Sequence, residues 1–241
     1  MNTQHPSKQC STGTLGAAIA VTAALAMIAC STTQQAKVKE SDVNCAFLGA
    51  ECALLKPGKD GQMALRYVNP KAAWSTYNQV IIDPVTLWGG ATSSISPADQ
   101  ESLTNFFYQA LRTQIGQTFT LVDANGPGVM LLQVAITDLE SATPGLRTIS
   151  SIIPQARVLN TLKYAATGTY AFIGGAQIEG KLTDSVTGLM LAEAVDRRVG
   201  GGSLKAAAQW KWGDAENAMT KMATITAERL KAWTSGTEPP K

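Results

Sequence analysis

Two apolar-rich stretches, Tyr170 to Asp184 and Leu189 to Arg198, are separated only by Ser185-Val186-Thr187-Gly188. A crossover connection takes a dozen or more residues, so a link this short obliges the two stretches to lie side by side as antiparallel strands. Asp184 offers a side-chain acceptor to the backbone of the turn, and Gly188 takes a positive φ without strain. An antiparallel hairpin is therefore the fixed point around which the rest of the chain is arranged.

Other periodicities attach to that hairpin. Val80-Ile81-Ile82-Asp83-Pro84-Val85-Thr86-Leu87-Trp88 reads as a strand interrupted by Pro84, which cannot donate to a ladder and so marks an edge or a bulge. Ser96 is placed to cap a helix that begins at Pro97, with Asp99 and Glu101 favoured by the helix dipole. Leu103, Phe106, Phe107, Ala110, Leu111 and Ile115 follow on one face. Phe119 to Val122 is a short strand. Val129 to Leu139 is a longer one, apolar on both faces at Met130-Leu131-Leu132, which places it centrally in a sheet. Asp214 reads as the cap of a last helix that buries Ala215, Met219, Met222, Ile225, Leu230 and Trp233. Residues 141–167 lack a clear period, with a short helix over Ala156 to Tyr164 as one reading and a cover for a sheet edge as another. The order predicts an α+β fold: a single domain with a mixed, antiparallel-rich sheet and helices packed on one face.

The N-terminal segment predicts a location. Leu15 to Ala29 runs for 15 residues without a charge, short of the roughly 20 that a helix needs to span a bilayer. It ends Ala26-Met27-Ile28-Ala29-Cys30-Ser31, which resembles the lipobox of bacterial lipoproteins, with Met27 where Leu is preferred. On this reading residues 1–29 are a signal peptide and Cys30 becomes a lipidated first residue. Each buried methylene then contributes about 0.8 kcal/mol, so several acyl chains hold firmly. Ser31 in place of Asp after the lipidated Cys favours the outer membrane. The alternatives are a plain secretory signal that leaves Cys30 a free thiol, or an uncleaved anchor. Residues 30–44 are polar and aperiodic, as a tether would be. Residues 45–236 then form the periplasmic domain, and 237–241, with two prolines, a flexible tail.

Loss of that segment narrows the chemistry. The one histidine, His5, goes with it, which excludes Ser-His-Asp and Cys-His catalysis and removes the commonest ligand for transition metals, so neither a metal nor a cofactor is expected. Loss of Lys8 leaves 19 basic against 18 acidic side chains. Counterion release then gives little affinity for nucleic acid. Cys45 and Cys52 remain, and a disulfide is the simple reading in an oxidising compartment; a metal site would want His partners or a Cys-x-x-Cys pair.

Six segments together resemble a family of proteobacterial envelope lipoproteins catalogued as a domain of unknown function. They are Gly145-Leu146-Arg147, Ile153-Pro154-Gln155-Ala156-Arg157, Thr167-Gly168-Thr169-Tyr170-Ala171-Phe172-Ile173-Gly174, Leu182-Thr183-Asp184-Ser185-Val186-Thr187-Gly188, Val195-Asp196-Arg197-Arg198-Val199-Gly200-Gly201 and Trp212-Gly213-Asp214-Ala215. The resemblance implies an envelope location and brings no activity with it.

Candidate sites carry two readings each. Asp138, Glu140, Glu179, Asp184, Glu193 and Asp196 gather on the hairpin and the strand before it, with Arg197 and Arg198 near. A carboxylate pair about 5 to 10 Å apart hydrolyses glycosides in other proteins, and cell-wall glycan would be the substrate here. The alternative is that these residues face water and pair with the arginines. Trp210 and Trp212 would stack on sugar rings or pack as a staple before the last helix. Gly174-Gly175 and Gly200-Gly201-Gly202 match no phosphate-loop pattern and read as bends or bulges. Arg147 and Arg157 would meet an anionic partner or simply be solvated. The expected function is a lipid-anchored outer-membrane lipoprotein facing the periplasm, a binding or assembly module whose partners are the membrane and an envelope protein or peptidoglycan. A histidine-free carboxylate hydrolase of cell-wall glycan is the alternative.

Overall fold

The computed structural model describes residues 33–89, 95–142, 174–200 and 211–238. The readings placed on the leader, Cys30, Arg147, Arg157, residues 156–164, Gly201, Gly202 and Trp210 lie outside the described residues.

The expected hairpin is the middle of the sheet. Strands β8 (Gly175–Asp184) and β9 (Met190–Gly200) pair antiparallel, and Asp184 Oδ1 accepts from the Val186 and Thr187 amides at 3.0 and 2.7 Å. Gly188 takes a φ of 70° in the turn. Strand β7 (Val129–Glu140) lies antiparallel to β8 on its other side, central as its two apolar faces require.

Shorter strands extend this three-stranded body. On the β7 edge, β4 (Gln79–Ile82) and β5 (Thr86–Leu87) both run parallel to β7, and β6 (Thr120–Leu121) runs parallel to β4. Pro84 falls in the gap between β4 and β5, where no ladder bond is required of it. On the β9 edge, β1 (Thr33–Gln35) and β3 (Leu65–Val68) share the strand end to end, and β2 (Lys56–Pro57) lies beyond β3. Among the described residues this is one mixed sheet of nine strands.

Two long helices share one face of the sheet. Helix α2 (Pro97–Ile115) starts where expected, with Ser96 Oγ accepting from the Asp99 amide at 3.3 Å. It buries Leu103, Phe107, Leu111 and Ile115 against Val80 and Ile82 of β4, Leu132 and Ile136 of β7, and the second helix, α3 (Gly213–Thr234). Full burial of each such side chain contributes about 1.5 to 3 kcal/mol.

The opposite face is covered by the N-terminal segment. A short helix α1 (Cys45–Leu48) and the 3-10 turn Ala50–Leu54 lay Phe47 and Leu48 over Ala135 of β7 and Val195 of β9. Residues 33–44, expected as a tether, are docked instead. Thr33–Gln35 pairs with β9, Ala36 is buried, and the Ala36 amide donates to Arg197 O at 2.8 Å. Their mostly polar composition hid this, because the docking uses backbone pairing, the Gln35 amide on Asp196, and the scattered small apolar residues Ala36, Val38 and Val43.

Three further expectations differ from what the structure has. Asp214 is not the cap of α3: the helix follows Trp212 without a side-chain cap, and Asp214, in its first turn, is buried with its Oδ2 accepting from the Gly174 amide at 2.9 Å. A Cβ on Gly200 would fall 2.4 Å from the Asp214 carboxyl carbon, so this glycine permits close approach rather than a bend. The tail is also held where described: Glu238 accepts from Gln62 Nε2 at 2.9 Å and pairs with Arg229.

Candidate functional site

The pleat decides which carboxylates meet. Glu179 of β8 lies opposite Val195, and Glu193 of β9 lies opposite Lys181, so the two glutamates are diagonal neighbours on one face, a spacing of about 7 Å. They point to the face that α1 covers. Glu179 is 0% exposed and Glu193 1%. Neither the hydrolase reading nor the solvated reading anticipated burial.

The cover over this pair is built locally. The Asn44 side chain accepts from the Phe47 amide at 3.3 Å to start α1, and the Asn44 amide itself donates to Glu179 Oε1 at 2.8 Å. Cys45 and Cys52 are joined as expected, with their Cα atoms 5.5 Å apart, which closes α1 and the following turn into a single lid. Lys181 Nζ donates to Phe47 O at 2.9 Å and sits 5.1 Å above the Phe47 ring.

Burial raises both carboxyls. For Glu179 it outweighs the Asn44 amide and the Thr137 and Gln177 side chains, which favour the charged form. For Glu193, burial and the charges of Glu51 and Glu179 outweigh the attraction of Lys181, and its carboxyl is pushed up to about 7. Neither Glu193 oxygen has a hydrogen-bond partner among the described residues. Among these residues no three His, Cys, Asp or Glu side chains come together as a metal-holding group.

The other candidate acids are dispersed. Asp138 and Glu140 pair with Arg197, Glu140 at 2.9 Å, in a row that crosses β8 at Gln177. Asp196 faces the helix side, where Gln35 Nε2, the Ala64 amide and Arg198 Nε donate to it at 2.5, 3.0 and 2.8 Å. Asp184 is used in its turn and by the Tyr77 hydroxyl at 2.9 Å. Trp212 is buried in the core, so of the two readings offered for it packing is what the structure has.

Sequence reading missed a second concave feature. Between the sheet and the helix pair lies a cavity of about 80 Å³, walled by Phe107, Leu111, Leu132, Ile178, Met222 and Leu230. Gln62, Arg66, Arg229 and Trp233 also line it. No local pattern marks these residues, since the space is enclosed only when β3, α2 and α3 meet. The one available signal was Arg229 on the apolar side of an otherwise regular helix.

Residues 46–225 match the family described as Protein of unknown function (DUF3313). The chain belongs to this family. The matched span begins one residue after Cys45, holds the rest of the lid, the three long strands, α2 and the first part of α3, and stops short of Arg229 and Glu238. The uncharacterized lipoprotein YdcL of Escherichia coli K12 is 26% identical over 129 residues, which cover 53% of this chain and 57% of YdcL. The match thus spans little more than half of that relative's length. Together these findings fit an uncharacterised lipoprotein family and an envelope-associated location. Among solved structures, the PelC dodecamer from Paraburkholderia phytofirmans is similar at 12% identity, TM-score 0.37, over 66% of this chain and 95% of that one. Protein XCC0632 from Xanthomonas campestris is similar at 13% identity, TM-score 0.37, over 71% and 95%.

Proposed function

We propose that the protein is an outer-membrane lipoprotein, anchored by acyl chains on Cys30 and facing the periplasm, that works as a binding or assembly module in the envelope. The lipobox-like run to Cys30 followed by Ser31, and the lipoprotein relative, support the anchor and its address. The observation that favours binding over hydrolysis is the roofing of Glu179 and Glu193. A glycosidase needs an acid and a base or nucleophile on either side of a bound sugar, with room for water in an inverting enzyme. Here the lid of α1 and the Cys45–Cys52 bridge occupies the space a sugar would need. The partner on this reading is an envelope protein or peptidoglycan.

Cell fractionation with mass spectrometry tests the anchor. The wild-type chain is expected in the outer membrane with acylated Cys30 as its first residue, and Cys30→Ser is expected to keep its leader and lose the acyl chains. A wild-type chain recovered with a bare thiol in the soluble fraction would count against the proposal. Crosslinking in intact cells is expected to join the protein to one envelope component. Release of soluble fragments from peptidoglycan by the purified protein, abolished by Glu179→Gln or Glu193→Gln, would instead establish the hydrolase.

A further inference from the structure

The cavity between sheet and helices has an apolar interior and a mouth built from hydrogen-bond donors. At about 80 Å³ it is several times the roughly 10 to 15 Å³ that one water requires, and its walls give water few partners. Arg66 enters from β3, Arg229 from α3, and the indole of Trp233 follows one turn on. Arg229 Nε and Trp233 Nε1 are buried donors with no partner among the described residues. Asp196 and Glu193 also border the space, but the Asp196 oxygens are engaged by Gln35, Ala64 and Arg198, and the pleat turns the Glu193 side chain to the opposite face, beside Glu179.

The chain already places a carboxylate at this mouth. Glu238 Oε1 accepts from Gln62 Nε2 at 2.9 Å and lies 3.9 Å from Arg66 Nη1, while Oε2 is paired with Arg229 Nη1. Glu238 stands four residues past the end of α3, on a segment whose removal breaks no strand or helix. The carboxylate is held by two guanidiniums and an amide, and among the described residues none fills the apolar space next to it.

We propose that this cavity is a binding site for a single-chain amphiphile with a compact anionic head. The acyl chain enters between α2, α3 and the sheet, and the head displaces Glu238 from Arg66 and Arg229. The proposal is independent of whether the protein has an envelope partner. Two sources offer this chemistry, a free fatty acid and a single-chain phospholipid, and they differ in the head.

The test is titration of the full chain, produced without acylation, with hexanoate, octanoate, octanol and an octanoyl lysophosphatidylglycerol, read by tryptophan fluorescence and calorimetry. Each methylene taken from water tightens binding about fourfold, so octanoate is expected to bind roughly fifteenfold more tightly than hexanoate. Octanol, lacking the charge, is expected to bind at least about tenfold more weakly than octanoate. Glu238→Gln, which removes the internal competitor, is expected to tighten octanoate severalfold, and Arg229→Gln to weaken it by about tenfold. Tighter binding of the lysophospholipid assigns the phospholipid source, and tighter binding of octanoate the fatty acid. No binding by either, or octanoate affinity indifferent to chain length and to Glu238→Gln, would overturn the site. Because Glu238 lies outside every helix and strand, that variant reports on the site even if Arg229→Gln fails to fold.

Discussion

Glu193 shows how one buried group sets a pH dependence for the whole chain. Its carboxyl, ordinarily at 4.5, is pushed up to about 7 by burial first and then by Glu51 and Glu179, against Lys181. A folded value above the unfolded one means that the native state binds the proton more tightly. The associated stability is complete below 4.5 and lost as pH rises through about 7. Urea unfolding from about pH 4.5 to 8 is expected to show that fall, and Glu193→Gln to flatten it, gaining about 2 kcal/mol at the alkaline end after allowance for screening. Gly200 is a second single-residue constraint. Gly200→Ala drives a methyl into the Asp214 carboxyl and is expected to cost about 2 kcal/mol in the same assay, with far-ultraviolet circular dichroism largely preserved.

Among the elements, the lid formed by α1 and the Cys45–Cys52 bridge links oxidation to that same carboxylate. The bridge spans a separation of seven residues, and its removal by Cys52→Ser is expected to cost about 2 kcal/mol on the loop-entropy estimate. Hydrogen exchange should then quicken at Phe47 and Leu48, whose amides bond to Asn44 O at 3.0 and 3.2 Å. Water reaching Glu193 would also lower its carboxyl, so reduced protein should lose part of the pH slope. A slope indifferent to reduction would separate the lid from Glu193. Helix α2 and the break at Pro84 were legible because their signals are local: an N-cap, a stripe on one face, a missing amide. The lid was not, since Cys45 to Leu48 makes barely one turn and owes its conformation to the sheet beneath.

Taken as a whole, the molecule is a sheet with unlike faces, helices on one and the chain's own N-terminal segment on the other. Strand β9 carries β1 and β3 on the same edge, so the segment from Thr33 onward belongs to the fold. Deleting residues 33–42 should remove β1 and the Ala36 contact while sparing Asn44. The thermal midpoint is expected to fall by about 5 °C, as a loss of about 2 kcal/mol does in a chain of this size. A mere tether would leave the midpoint where it was.

The hairpin turn, the capped helix α2, the central β7 and the Cys45–Cys52 pair could all be read from neighbours in the chain, as could the α+β class. Each depends on periodicity, on φ or on spacing over a few residues, and tertiary packing had no reason to override them. Which face Glu179 and Glu193 occupy depends on strand register and on a distant segment, residues 36–55, coming to lie over them. The apolar cavity, with Arg66, Arg229 and Glu238 at its mouth, needs β3, α2 and α3, elements far apart in the chain, to converge. Local chemistry specifies elements. Burial and electrostatic environment are properties of their assembly, so the acids were visible in the chain but their protonation and access were not.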